Sequence, residues 1–162
     1  MVMNADLEKL IQAFERNQWV INAQTEGLSH SDSLLQLPFR GNCLNWVLGH
    51  IVAYRDKTLT LLGGAPTLTE AEANLYLRGS EPITDGVTAV ALERLLSASD
   101  QSQKRLTAAL QQASPDTLAA LYSGERQQTV GDRVVFMLWH ETYHVGQLEI
   151  LRQLAGKEDT II

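Results

Sequence analysis

The chain has 162 residues, 44% of them hydrophobic, and a formal net charge of −6. That supports one compact domain over residues 1–162, and no stretch approaches the roughly 18 consecutive apolar residues of a membrane span, so a soluble, unexported, cytoplasmic protein without membrane partners is expected. The 13 Lys and Arg are scattered among 19 Asp and Glu, which excludes the basic footprint of a nucleic-acid binder, and the single Cys43 excludes a disulfide framework or a cysteine-rich metal site.

From Asp6 to Glu26 the apolar residues Leu7, Leu10, Ile11, Phe14 and Ile21 follow helical spacing, broadened by Trp19 and Val20. Gly27 to Gly41 carries Ser29, Ser31, Asp32, Ser33 and Pro38 and is expected to be loop, with His30 solvated inside it and Asn42 or Asn45 free to cap the next helix. That second helix is predicted over Leu44 to Leu62 and stops at Gly63-Gly64-Ala65-Pro66. At about 100° per residue, His50 shares a face with Trp46, Val47, Tyr54 and Leu61 to within about 60° and points inward. Cys43 lies about 10 Å further back along the axis, too far to share a metal with His50, and reads as a small buried filler.

Thr67 to Asp85 is a long connection with a short helix at Glu70 to Leu77. Such a crossover lets the helices on either side run parallel. The third long helix is predicted over Gly86 to Ala113, with a polar middle at Ser97 to Lys104. Ser114-Pro115-Asp116 starts a short turn, and Ser123 to Gln128 leads into the last helix. That helix runs from Thr129, an N-cap paired with Asp132, to the glycine stop at Gly156. No alternating strand pattern, repeat or low-complexity tract interrupts the series, so the fold class is all-α, a four-helix bundle with a long crossover between helices two and three.

The last helix sets His140 and His144 about 40° apart and about 6 Å along the axis, with Arg133, Phe136, Met137, Gln147 and Leu151 within about 60° of His140, so the pair is expected to look into a core. A lone core histidine is usually satisfied by a neighbouring polar group, and an i, i+4 pair alone is only suggestive. Three inward imidazoles together would each cost about 1–3 kcal/mol if unpaired, and few other polar groups are expected nearby. One divalent ion on His50, His140 and His144 satisfies all three. Imidazole suits zinc, nickel, copper or iron, zinc or nickel being expected, and three protein ligands leave a position open for exchange.

Glu141, about 100° round from His140, is either a partner of the metal site or a solvated helix flank; Gln147, one turn beyond His144, is placed to hydrogen-bond a ligand's second nitrogen or the metal's water. Trp46, Tyr54, Met137 and Trp139 either wall a small-molecule pocket or are plain core. His140-Glu141-Thr142-Tyr143-His144 also satisfies the H-E-x-x-H pattern of zinc proteases. Against that reading, no third-ligand extension follows, Glu149 lies about 140° round the helix from His144, and no strand is available to hold a peptide.

Asn45-Trp46-x-x-Gly49-His50-Ile51, the stretch from Leu62 to Thr84, Thr129-Val130-Gly131 and His140-Glu141-x-x-His144-x-Gly146-Gln147-Leu148 together resemble the DinB superfamily. The resemblance implies a bundle of up-up-down-down character, often a homodimer, with one divalent metal on His50, His140 and His144. Related bundles include bacterial bacillithiol- and mycothiol-dependent S-transferases and the maleylpyruvate isomerase type, and many members have no assigned activity. The function expected on that basis is a metal-dependent thiol S-transferase acting on small electrophiles, with a low-molecular-weight thiol as co-substrate and Glu141 or Tyr54 moving the proton. The alternatives are a non-enzymatic, stress-related metal-binding bundle and, further off, an H-E-x-x-H metalloprotease or other metal-dependent hydrolase.

Overall fold

The computed structural model describes residues 2–122, 128–158, 160 and 161, with side chains from residue 6 onward. Among the described residues there are seven helices: α1 (Val2–Thr25), α2 (His30–Ser33), α3 (Leu44–Leu61), α4 (Glu70–Asn74), α5 (Leu92–Gln112), α6 (Pro115–Ala119) and α7 (Val130–Leu154). The four long ones form a bundle in which α3 and α1 each pack against both α5 and α7. No helix among the described residues is long and apolar enough to cross a membrane. The all-α fold class and the long crossover read from the sequence are both present, while residues 123–127 of the predicted connection into the last helix lie outside the described residues.

Contacts between helix ends give the directions. Asn45 at the start of α3 donates to the carbonyl of Val90 just before α5, and Arg105 late in α5 donates to the carbonyls of Ala65 and Pro66 just after α3, so these helices run parallel. Arg152 near the end of α7 donates to the carbonyls of Gln24 and Glu26 at the end of α1, so that pair is parallel too. Asn17 of α1 meets Glu141 of α7, whereas Gln18 of α1 meets Asp100 in the middle of α5. The first helical turn of α7 shares an apolar cluster with the last residues of α3, Leu59 with Val130 and Val134, so α3 and α7 are antiparallel. The order is therefore up-down-down-up, which corrects the up-up-down-down expectation. The reason is that only the crossover between α3 and α5 travels the length of the bundle; the other connections join neighbouring ends.

Several predicted boundaries shift because distant groups satisfy the backbone. Ser29 and Asp32 form a capping box, Ser29 Oγ accepting from Asp32 N at 3.1 Å and Asp32 Oδ2 from Ser29 N at 2.8 Å, which turns part of the expected loop into α2. His30 is not simply solvated: its Nδ1 accepts from Leu92 N at 3.2 Å and so serves the first free N–H of α5, whose N-cap Ala91 has no side-chain acceptor to offer. Neither Asn42 nor Asn45 caps α3; Cys43 occupies the N-cap without a side-chain bond, and its buried thiol donates to Ile83 O at 3.4 Å. α5 starts at Leu92 and not at Gly86, because Asp85 Oδ1 accepts from Val87 N and Thr88 N in a turn, and Val90 N is given to the hydroxyl of Tyr76. α7 begins and ends as predicted, with the Thr129 and Asp132 capping box at one end and Gly156 at φ 76° beyond the other.

The interior is layered. One apolar cluster joins Ile21, Leu44, Leu48, Leu95 and Leu148, and a second, nearer the other end, joins Phe14, Leu59, Leu106, Leu110 and Val134. Between them lies a buried polar layer. Arg55 of α3 forms a two-bond pair with Glu141 of α7 (Nη2 to Oε1 2.6 Å, Nε to Oε2 3.0 Å) and also donates to Gln18 Oε1 of α1 and to Ser99 O of α5. The polar middle predicted in α5 is thus partly internal, since Ser99 and Ser102 are fully buried against this arginine.

Candidate metal centre

α3 is the most enclosed helix, every residue from Leu44 to Ala53 being buried, and its position is fixed by the crossover as well as by α5 and α7. Asp56 accepts from Thr67 N and Leu68 N, which ties down the start of the crossover, and α4 is held to α5 by Arg94 and Glu72 at 2.9 Å. Tyr76, beyond α4, is fully buried, and its hydroxyl donates to Asn45 Oδ1 and accepts from Val90 N, both at 2.9 Å. The Tyr76 ring lies on Gly49, where a Cβ would come within 2.4 Å of it.

This clamp delivers a carbonyl to His50. The Nδ1 of His50 donates to Tyr76 O at 2.6 Å, and because a carbonyl can only accept, the proton sits on Nδ1 and leaves Nε2 as a bare lone pair. Trp46 stacks on one side of the His50 ring at 4.5 Å between centroids, and Tyr54 covers it from the next turn, also at 4.5 Å. From α7, the rings of His140 and His144 lie 5.1 Å and 4.6 Å from that of His50. His144 Nδ1 donates to Gln147 Oε1 at 2.9 Å, which turns its Nε2 the same way.

The three rings converge. Nε2 of His50 and Nε2 of His140 are 3.3 Å apart, and one ligand nitrogen from each of the three histidines lies within 4.8 Å of the others. Adjacent ligands of a tetrahedral ion with bonds of about 2.05 Å are separated by about 3.3 Å. Burial pushes His50 down to about 4, with the neighbouring His144, His140 and Lys57 acting the same way against the Tyr76 hydrogen bond. Burial likewise lowers His140 to about 4, helped by His144 and Arg133, and it lowers His144 against its bond to Gln147. All three are shifted toward the neutral form near pH 7; the Nδ1 bonds of His50 and His144 leave lone pairs at Nε2, and the contact between His50 and His140 is bridged either by a proton on His140 Nε2 or by a cation. Among the described residues no carboxylate lines the cavity above them, so the donor set fits an ion that accepts imidazole nitrogen and not an oxygen-seeking ion such as calcium or magnesium. His50, His140 and His144 can hold a metal ion.

The surroundings differ from expectation at several residues. His140 and His144 are half-buried and Phe136 is 40% exposed, so the pair faces the open end of the core and not its interior. Above the three rings is a cavity of about 570 Å³, walled by Trp46, Tyr54, Arg40, Asn42, Arg78 and Ser80. Met137 is buried and does not line it, and Trp139 is 62% exposed outside it. Gln147 lines a neighbouring cavity of about 340 Å³ with Phe39, Tyr143 and Ile150, which adjoins the first through Arg40, Trp46 and His144.

Glu141 corrects two expectations at once. At 4% exposure it is no solvated flank, and with both oxygens held by Arg55 and one also approached by Asn17 it lies outside the cavity. The H-E-x-x-H reading therefore loses its general base, and of the two candidate proton carriers only Tyr54 lines the cavity. The expected scarcity of buried polar groups is also overturned by this layer. Sequence reasoning missed Arg55, Tyr76, Arg40 and Arg78. Only Arg55 carried a signal, as a cation set in the apolar run of α3; the others sit in connections whose placement depends on the bundle.

No curated protein matches the chain as a relative. A family model described as the DinB superfamily matches residues 5–148, a span that takes in α3, the crossover and the whole histidine pair. The chain belongs to the DinB superfamily.

Proposed function

We propose that this protein is a metal-dependent thiol S-transferase acting on small electrophiles, with zinc or nickel on His50, His140 and His144 and a low-molecular-weight thiol as co-substrate. The observation that carries the reading is that three neutral imidazoles form the floor of a cavity of about 570 Å³, large enough for two small reactants side by side. A divalent ion held there supplies a positive charge that favours thiolate over thiol at neutral pH. The chain's own residues do the rest. Tyr76 and Gln147 fix the orientation of His50 and His144, Trp46 and Tyr54 shield the His50 ring, and Tyr54, which lines the cavity, is proposed to relay the thiol's proton to solvent, its hydroxyl passing on one proton as it takes up another. The walls bring the two reactants together, which is where proximity acts.

The test supplies protein purified without a histidine tag and loaded with zinc or nickel with bacillithiol, mycothiol or glutathione and monochlorobimane. Conjugation that requires the metal and disappears in His50→Ala is the expected result. Failure with every thiol, in protein that metal analysis shows to be loaded, overturns the transferase and leaves a metal-binding bundle. The same protein is proposed to act as a cytoplasmic homodimer, through the outer face of α7.

A further inference from the structure

Five of the eight described arginines are occupied, and a sixth, Arg16, is exposed on α1 away from the cavity. Arg55 pairs with Glu141, Arg94 with Glu72, Arg105 and Arg152 bind carbonyl oxygens, and Arg133 covers the Phe136 and Tyr122 rings. Arg40 and Arg78 differ. One comes from the segment between α2 and α3 and the other from the crossover beyond α4; both are exposed, both line the three-histidine cavity, and neither has a hydrogen bond or ion pair with any described residue.

The lining itself is one-sided: the chain holds 19 acidic residues against 13 basic ones, yet among the described residues no aspartate or glutamate lines this cavity, the nearest in sequence being exposed Glu81 between the lining residues Ser80 and Pro82. Two more cations stand behind its aromatic surroundings, Lys57 Nζ at 4.6 Å from the centroid of Tyr54 and Arg133 Cζ at 4.9 Å from that of Phe136. A cleft lined by one sign of charge focuses its field and gathers counter-ions, and a free guanidinium is shaped to take a carboxylate through two parallel bonds.

We infer that Arg40 and Arg78 form an anion-binding subsite that selects small molecules carrying carboxylate groups next to the atom presented to the three histidines. The inference rests on the reading of the cavity as a small-molecule site, and it names the class of molecule. The carboxylates belong either to the thiol or to the electrophile, and the two cases separate by experiment.

Calorimetric titration of zinc-loaded protein with succinate and with succinamide, and with mercaptosuccinate and with thioglycerol, tests it. The charged member of each pair binds at least about tenfold more tightly in the native protein, and the preference disappears in the Arg40→Gln, Arg78→Gln double variant, with metal content, melting temperature and thioglycerol affinity unchanged. Succinate that competes with thioglycerol assigns the carboxylates to the thiol; succinate that binds alongside it assigns them to the electrophile. Equal affinity for succinate and succinamide, or a preference that survives in the double variant, overturns the subsite. Arginine-dependent preference without bimane conjugation overturns the transferase alone, and conjugation without the preference overturns the subsite alone.

Discussion

Gly49 occupies its place in α3 because the Tyr76 ring occupies the space a side chain would need. In Gly49→Ala the new methyl would stand 2.4 Å from that ring, so the crossover has to lift, and with it the carbonyl that holds His50 Nδ1. Alanine favours a helix interior by up to about 1 kcal/mol over glycine, but overpacking a filled site costs about 1–3 kcal/mol, so the net effect is destabilising. Zinc affinity falls together with the melting temperature, both read on the same sample; an alanine variant as stable and as tight-binding as the native protein contradicts the clamp. The histidines give a second prediction at this scale. His50 and His140 titrate near 4 in the folded chain and near 6.5 when unfolded. Between those values the unfolded chain binds protons that the fold excludes, so the stability they confer is complete above about 6.5 and is lost as pH falls toward 4. Metal-free protein therefore melts at lower temperature at pH 5 than at pH 7.5, and the difference shrinks in His140→Gln. A melting temperature that does not change over this range removes the buried, neutral state assigned to these rings.

Helices reveal themselves in a sequence when their own residues define them. α3 and α7 are legible because apolar periodicity, the Thr129 and Asp132 box and the glycine stops are local, and the three histidines follow from the same arithmetic. The start of α5 was not legible, because a tyrosine hydroxyl from the crossover and an imidazole from α2 receive the N–H groups that would otherwise continue or cap the helix. Nor was the role of Glu141. Its spacing from His140 places it on the flank, and only the presence of Arg55 on a neighbouring helix turns that flank inward. The pair joins α3 to α7 next to His140 and about one and a half turns from His50, so it sets the register of the two ligand-bearing helices. Leaving one member buried without the other costs about 3–5 kcal/mol, whereas replacing both with apolar groups of similar volume is often close to neutral. Glu141→Leu is expected to unfold at clearly lower denaturant concentration, with Arg55→Met, Glu141→Leu recovering much of the loss. Equal midpoints for the native protein and Glu141→Leu would show that the polar layer does not hold the helices together.

The bundle uses one side of α7 for packing on α1 and α3 and leaves the other side open. Along that open side Val135, Trp139, Tyr143 and Ile150 are each more than half exposed, and the Trp139 and Tyr143 rings lie 6.2 Å apart in a stacked arrangement. Gly146 interrupts the row with nothing within 4 Å of where its side chain would be, a low point at which a second backbone can approach. From Val135 to Ile150 the stripe spans about 22 Å, and a two-fold contact buries the same surface on both copies. Tyr143 and Ile150 also wall the cavity that adjoins the metal centre, so a second copy seated here would roof the space next to His144. The expected mass in solution is accordingly twice the 18.0 kDa of the chain. Trp139→Glu places a charge at the centre of the stripe, where burial without a partner is costly, and should convert the protein to monomer by light scattering while its helical content stays unchanged. A native protein that scatters as a single 18.0 kDa chain at micromolar concentration would leave the exposed aromatic row without a self-association role.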